Sequence, residues 1–283
     1  MPAIAEDESQ KISKIIPCAL CGCGNFKPAL KCEGFYFVRC KKCGLVQRNP
    51  QPAKEEIITR YSSIYGGDYL SYEINNEKSF LTLQQLALKD AGFTAFEKSL
   101  PENTRKVLDI GCATGAMLEH LRGNGWQVTG VEISPCAQYA QKERNLDVRN
   151  IPLEENNFPA KSFDAVLASH LIEHLNDPKT FLLEVHRILK DGGKLFITTP
   201  NISGFQAKLF GGKWRSAIFD HLYLFSIRTL KQLLKAAGFK TQICRTWGGL
   251  ASGMAPMWLK KPADYFAKKL NYGDVMILRA GIS

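Results

Sequence analysis

The sequence predicts an α/β protein in which helices cover both faces of a mostly parallel sheet, with a small metal-binding module in front. Three observations carry that expectation. Short β-branched runs alternate with amphipathic helical runs from residue 101 onward, the pattern of a doubly wound sheet. Six of the nine cysteines crowd between Cys18 and Cys43. At 45% hydrophobic and 23% charged over 283 residues, composition is that of one or two globular domains and excludes a disordered or collagen-like chain.

Residues 1–16 read as a polar leader. The opening MPAIAEDESQKISK is acidic where a secretory signal is basic and then apolar, and no run approaches the roughly 18 apolar residues of a membrane helix, so a cytoplasmic protein with no membrane partner is expected. Residues 17–49 read as a zinc ribbon. Cys18-x-x-Cys21 and Cys40-x-x-Cys43, with 18 residues between them, have the spacing by which four thiolates surround one tetrahedral ion at about 2.3 Å. The zinc is expected to be structural, since all five histidines lie at 120 or beyond. So small a module builds little core, and metal binding supplies its folding free energy. It is expected to unfold alone on chelation. Cys23 and Cys32 remain open as spare ligands or small buried side chains.

Residues 50–100 read as a helical linker or lid, with Leu83, Leu86, Phe93 and Phe96 offering apolar faces and Tyr65, Tyr69 and Tyr72 grouped beside a Gly-Gly pair. Beyond it, VLDI (107–110) is a strand, followed by a glycine turn and a helix whose Met117, Leu118 and Leu121 share a face. A strand near 126–131 ends at Glu132, and Ser134-Pro135 starts a helix. FDAVLAS (163–169) is a strand, Asp177-Pro178 opens a helix that DGG (191–193) closes, and KLFITT (194–199) is a strand. Ser226 caps a helix ending at Gly238, with strands near 240–246 and 274–279, one of them a candidate antiparallel edge strand.

VLDIGCATG puts Asp109 at the end of the first strand and Gly111 and Gly115 in the turn, while Glu132 ends the second strand 21 residues after Gly111. Glycines let a ligand approach the backbone, and a carboxylate at that distance suits ribose hydroxyls. Dinucleotide sites favour Gly-x-Gly-x-x-Gly; this turn is Asp-x-Gly-x-x-x-Gly. It resembles the first motif of the class I S-adenosylmethionine-dependent methyltransferases, and the resemblance continues through Glu132, SFDAVLASHLIEHLNDP (162–178), LKDGGKLFITTPN (189–201) and DHLYLFSIRTLKQLLKAAGF (220–239). PCALCG…FVRCKKCGLVQRNPQP (17–52) is similar to the zinc-ribbon start of small-molecule methyltransferases, including sugar C-methyltransferases, which carry a further C-terminal domain.

The resemblance implies a Rossmann-like, seven-stranded domain over 101–283 that binds S-adenosylmethionine. Gly111, Cys112, Ala113 and Gly115 would line the methionine part, with Asp109 anchoring its amino group. Glu132 would take the ribose hydroxyls; Ile133, Ile151, Pro152 and Leu153 would border adenine. Ser169 and His170 would stand beside the sulfonium.

Methyl transfer from a sulfonium needs an aligned nucleophile and a base for its proton. His221, His170 and His174 are the candidates, imidazole being the side chain that titrates near neutrality. His174 serves equally as a brace for its turn, and Glu173 with His174 and another acid suits a divalent metal. Lys and Arg outnumber Asp and Glu by 37 to 27, and 201–261 holds ten basic residues against Asp220 alone. Lys208, Lys213, Trp214 and Arg215 are therefore candidate contacts for a phosphate- or carboxylate-bearing acceptor. Two readings follow: O-methylation of a sugar, nucleotide-linked or secondary-metabolite small molecule, or methylation of RNA gripped by the ribbon and the basic segment. A non-catalytic binding module is a third.

Overall fold

The computed structural model describes residues 14–61, 66–249, 262, 265 and 267–282. Strands β1 (Phe26–Lys31), β2 (Tyr36–Cys40) and β3 (Val46–Arg48) form an antiparallel sheet. Helices α1 (Lys54–Thr59), α2 (Gly66–Asp90) and α3 (Phe93–Lys98) follow. Then come β4 (Lys106–Ile110), α4 (Ala116–Gly123), β5 (Gln127–Val131), α5 (Cys136–Arg144), β6 (Val148–Arg149), β7 (Phe163–Ser169), α6 (Pro178–Ile188) and β8 (Leu189–Pro200). The chain continues through α7 (Phe205–Phe210), β9 (Tyr223–Leu224), α8 (Ile227–Ala236), β10 (Phe239–Trp247) and β11 (Val275–Ile282).

The main sheet has seven strands in the order β10-β11-β8-β7-β4-β5-β6. Alternation along its strands feeds two cores. Leu108, Ile110, Val166 and Ala168 face α6 and α8, meeting Leu182, Val185, Leu230 and Leu233. Val107, Ala165 and Leu167 face the other way, onto Phe93, Phe96, Met117 and Leu121. Two of the three helix starts predicted in this region have a side-chain N-cap, while α5 begins at Cys136 with Pro135 rather than Ser134 in the capping position and the Ser134 hydroxyl receiving the Cys136 amide at 3.3 Å. Asp177 accepts from the Lys179 and Thr180 amides with Pro178 at the first turn, and Ser226 forms a reciprocal capping box with Thr229.

Three expectations change. The antiparallel strand is β11, and it lies inside the sheet, between β8 and β10, rather than at its edge. Leu83 and Leu86 are exposed; α2 turns Ala87 and Leu88 inward instead. DGG does not terminate a helix but lies within β8, where the register with β7 slips.

The small sheet is completed by β9, from beyond the main sheet's fifth strand in sequence: Val46 pairs with Leu224 and Gln47 with Tyr223. Cys18, Cys40, Cys43 and Leu45 are buried in one cluster with Leu222, Tyr223, Phe225 and Leu230. Arg48 Nη1 donates to the Phe219 carbonyl at 2.9 Å and Arg228 Nη2 to the Cys43 carbonyl at 2.7 Å. The ribbon and the sheet domain thus share a core.

Candidate functional site

The four ribbon thiols converge. Cys18 and Cys43 sulfurs are 3.4 Å apart, Cys21 and Cys40 sulfurs 3.6 Å, and all four lie within 4.8 Å of one another. Sulfurs about 2.3 Å from a tetrahedral ion stand roughly 3.8 Å apart, so the donor set fits zinc. Gly22 and Gly44, both at positive φ, close the two turns by donating to the Cys18 and Cys40 carbonyls. The Leu20 and Cys21 amides point at the Cys18 sulfur, and those of Lys42 and Cys43 at Cys40, as oriented donors to a metal-bound thiolate do. Cys23 stands outside this cluster, its sulfur receiving the Asn25 amide at 3.4 Å; Cys32 packs partly against the Trp214 cluster.

A second site lies at the carboxyl ends of parallel β4, β5 and β7, where open α/β sheets bind ligands. Gly111 (φ 73°) and Gly115 (φ 78°) shape the turn after β4, and a Cβ on Gly115 would sit 2.6 Å from Leu146 Cδ1. Glu132 is buried and fixed at both oxygens: Oε2 receives the Ala113 amide at 3.0 Å and Oε1 the Ser134 amide at 2.8 Å. Asp109 is buried below the turn, and its Oδ1 has no hydrogen-bond partner. Burial, then the neighbouring Glu132 charge, pushes the Asp109 carboxyl up to about 8. An orphaned carboxylate of this kind is where a cationic ligand group belongs.

Other expected residues fall around this centre. Cys112 turns its thiol into the cluster of Leu118, Ala137 and Ala140, leaving its backbone to the turn. Ile133 is half-buried, Ile151 is exposed, Pro152 is half-buried, and Leu153 is packed into the main core. Ser169 ends β7, and His170 follows at φ 52°, its amide bonded to Thr198.

The histidines gather on the same side. Glu173 is fully buried, its Oε2 receiving the Thr199 hydroxyl at 2.9 Å; Oε1 lies 3.3 Å from half-exposed His170 Nδ1, without hydrogen-bond geometry. His174 Nδ1 lies 3.0 Å from the Asp220 carbonyl and 3.0 Å from the Tyr61 hydroxyl. His221 Nδ1 lies 2.7 Å from the Ser216 carbonyl, and the His174 and His221 rings meet edge-on at 4.6 Å. Burial pushes His221 down to about 4 and holds His174 below its usual value. Both are neutral near pH 7. Burial alone would raise Glu173, but the His170, His174 and His221 imidazoles hold it near 2.

Helix α2 crosses this region with Tyr69, Glu73 and Glu77, four residues apart and so on one face. Tyr69 and Glu73 are raised by burial first, with Glu132 adding to both. Glu77 ties the helix down: Thr114 Oγ1 donates to it at 2.6 Å and Arg144 Nη2 at 2.6 Å. Sequence reasoning missed Glu73 and Glu77, although the four-residue spacing from Tyr69 marks them. Tyr65 lies outside the described residues. Glu77→Ala is expected to speed cofactor-analogue dissociation several-fold in stopped flow, by removing both ties; an unchanged off-rate would show that α2 is held by its apolar contacts alone.

Three of the four expected anion contacts are engaged elsewhere, and Lys213 is exposed. Trp214 is buried with its Nε1 on Asp274 Oδ1, and Arg215 Nε pairs with Asp274 Oδ2 at 2.5 Å. Lys208 lies over the Tyr272 ring.

Fold and site together define a class I S-adenosylmethionine-dependent methyltransferase. A family model described as a methyltransferase domain matches residues 76–242, more than half of the chain, and the chain belongs to that family. It is 36% identical over 118 residues to a mitochondrial ubiquinone biosynthesis O-methyltransferase from Rattus norvegicus, covering 38% of this chain and 34% of the relative. It is 35% identical over 105 residues to a ubiquinone biosynthesis O-methyltransferase from Idiomarina loihiensis, covering 34% and 43%. The matches thus span less than half the length of these relatives. Among solved structures, a possible histamine N-methyltransferase from Thermotoga maritima superposes with a TM-score of 0.54 at 23% identity, covering 76% of this chain and 99% of that one. A methyltransferase from Haloferax volcanii, solved with the activator Trm112, has a TM-score of 0.53 at 19% identity, covering 74% and 95%. These two bear on the fold. Among the described residues no helix is long and apolar enough to cross a membrane.

Proposed function

We propose that the protein moves a methyl group from S-adenosylmethionine to an oxygen of a small-molecule acceptor. The observation that carries the cofactor assignment is the pairing of Glu132, held by the Ala113 and Ser134 amides, with the unpartnered Asp109 carboxyl at the same sheet end. Asp109 would receive the cofactor's ammonium, and Glu132 the ribose hydroxyls. Gly111, Cys112, Ala113 and Gly115 would offer backbone to the methionine part, and Ile133, Ile151, Pro152 and Leu153 would border adenine. Ser169 and His170 would flank the reacting end. Transfer to oxygen, rather than to another atom, rests on the relatives named as O-methyltransferases. A sugar, an anionic acceptor and RNA have no such support, and partnered Arg215 and buried Trp214 weaken the anionic reading.

When bound, the cofactor supplies an electrophilic methyl on a cationic sulfur. The chain's part is alignment and proton removal. His170 is half-exposed beside the end of β7, with ionised Glu173 behind it to stabilise the imidazolium that forms. His174 and His221, neutral and fixed through Nδ1, close the far wall. Tyr69 and Glu73 of α2 would cover the site and exclude water.

Calorimetric titration with S-adenosylhomocysteine, against a nicotinamide dinucleotide as control, tests this reading: micromolar binding of the first alone is expected, and binding of neither overturns it. Asp109 adds a signature. Its carboxyl is raised, so near pH 7 the free protein holds that proton, and a ligand ammonium beside it drives the proton off. Affinity should therefore rise with pH toward about 8, with proton release visible in buffers of different ionisation enthalpy and lost in Asp109→Asn. Equal heats in all buffers would place the ammonium elsewhere.

A further inference from the structure

We propose that Lys194, Gln242 and Arg279 form a binding site for a phosphate-type oxyanion above Gly281, on the main sheet but apart from the methyl-transfer site. The proposal goes beyond the methyl-transfer reading and does not rest on it.

Four observations place the site. Gly281 on β11 has Lys194 of β8 and Lys240 of β10 as its direct cross-strand neighbours, and residues paired in this way point to one face of a sheet. A Cβ on Gly281 would lie 2.8 Å from Gln242 Nε2 and 3.2 Å from Lys194 Nζ, so two nitrogen donors lean over a glycine whose missing side chain leaves the floor open. The β10 register slips between Thr241 and Ile243, and this bulge lets Gln242 reach that face. Arg279 stands two residues before Gly281 and therefore on the same face. Its Nη1 donates to the Gly92 carbonyl at 3.4 Å, while its buried Nε has no hydrogen-bond partner. Finally, the ion pairs among the described residues include neither Lys194 nor Arg279. Burial first, and then the Arg279 charge, holds Lys194 below its usual value.

Ligand chemistry follows from the donors. A buried N–H without an acceptor, beside a second cation and with no acid paired to either, calls for an anion. The guanidinium Nε, the ammonium and the amide nitrogen arrive from β11, β8 and β10. A tetrahedral oxyanion offers a separate oxygen to each, whereas a planar carboxylate has only two. Exposed Lys240 adds charge at the rim. Lys194 is level with Ala165 near the start of β7, while Ser169, at the carboxyl end of that strand, is level with Thr198. The oxyanion thus sits toward the opposite end of the strands from Asp109, Glu132 and His170, and it is not the methyl acceptor. Its place suggests what binding does. It would join edge strand β10 to β11 and β8, and through Arg279 to Gly92, at the junction between α2 and α3, so an occupied site stabilises this flank of the sheet.

The test uses the full chain at low ionic strength, with inorganic phosphate as the probe. Titration calorimetry should show one phosphate bound per chain, with sulfate competing and the melting temperature rising with phosphate concentration by mass action. Gly281→Ala should weaken binding roughly tenfold or more, because its methyl pushes the Gln242 and Lys194 side-chain ends aside; both are flexible, so the fold survives. Lys194→Met should do the same, and circular dichroism without phosphate checks that both variants are folded. Absence of saturable phosphate binding, or native affinity in both variants, would overturn the site. Acetate held as tightly as phosphate would overturn the tetrahedral assignment. Loss of binding in Arg245→Ala, with Gly281→Ala unaffected, would put the anion in the cleft of Arg245, Lys268 and Lys269 and would equally overturn the proposal.

Discussion

Glu132→Ala is expected to weaken S-adenosylhomocysteine binding by roughly 2–4 kcal/mol, about 30- to 1000-fold, as for a buried charged acceptor that holds several donors. The effect has two sources. The carboxylate is the partner assigned to the ribose hydroxyls, and it also holds the Ala113 and Ser134 amides, so its removal leaves two N–H groups without their acceptor and loosens the turn after β4. Glu132→Gln should fall between, since the amide keeps one oxygen and loses the charge. Calorimetry measures both, with thermal melts as the folding control. Native affinity in the alanine variant would sink the cofactor assignment.

The second large effect is on stability. With zinc as the ion that the four ribbon thiols would hold, chelation, or replacing Cys40 with serine, should lower the melting temperature by on the order of 10 °C and abolish S-adenosylhomocysteine binding in the same transition. The sequence alone suggests a ribbon that unfolds by itself. The structure argues for a joint transition, because Cys18, Cys40, Cys43 and Leu45 share a buried cluster with Leu222, Tyr223 and Phe225, and β3 needs β9 as its neighbour. Structural zinc carries several kcal/mol of folding free energy, and about 1 kcal/mol moves the midpoint of a chain of this size by roughly 2–4 °C. Circular dichroism and calorimetry on the same sample decide the matter: chelation that leaves the midpoint and the affinity intact would show a ribbon energetically separate from the sheet.

How much of this was legible beforehand depended on the range of the forces involved. Caps at Asp177 and Ser226, the turn at Gly111 and Gly115 and the knuckle spacing are set by residues within a few positions of each other, and periodicity located the strands of the main sheet except the two-residue β6. The position of β11 between β8 and β10 is a pairing across the sheet that leaves no local mark. So is the recruitment of Tyr223 and Leu224 into the ribbon sheet: they fall between the elements predicted from sequence because two residues carry no period. Leu83 and Leu86 misled because an apolar residue on a helix does not say which way the helix is rolled; Ala87 and Leu88 fill that face. Among the site residues, Asp109 and Glu132 were legible from the strand-turn-helix frame. The convergence of Glu173, His174 and His221 was only half visible, since the third residue arrives from 47 positions beyond its neighbour in sequence. Trp214 and Arg215 read as contacts for an anionic acceptor, and Asp274, far along the chain, claims both.

The two-residue strand β9 also sets a schedule. A ribosome releases the cysteines of residues 18–43 long before it reaches Tyr223 and Leu224, and Arg48 waits for a carbonyl 171 residues downstream. Until then the nascent ribbon has its thiols but neither its fourth strand nor the apolar floor of Leu222 and Phe225. Early metal capture would protect those thiols from oxidation during synthesis, and the ribbon would set into its final form among the last parts of the fold.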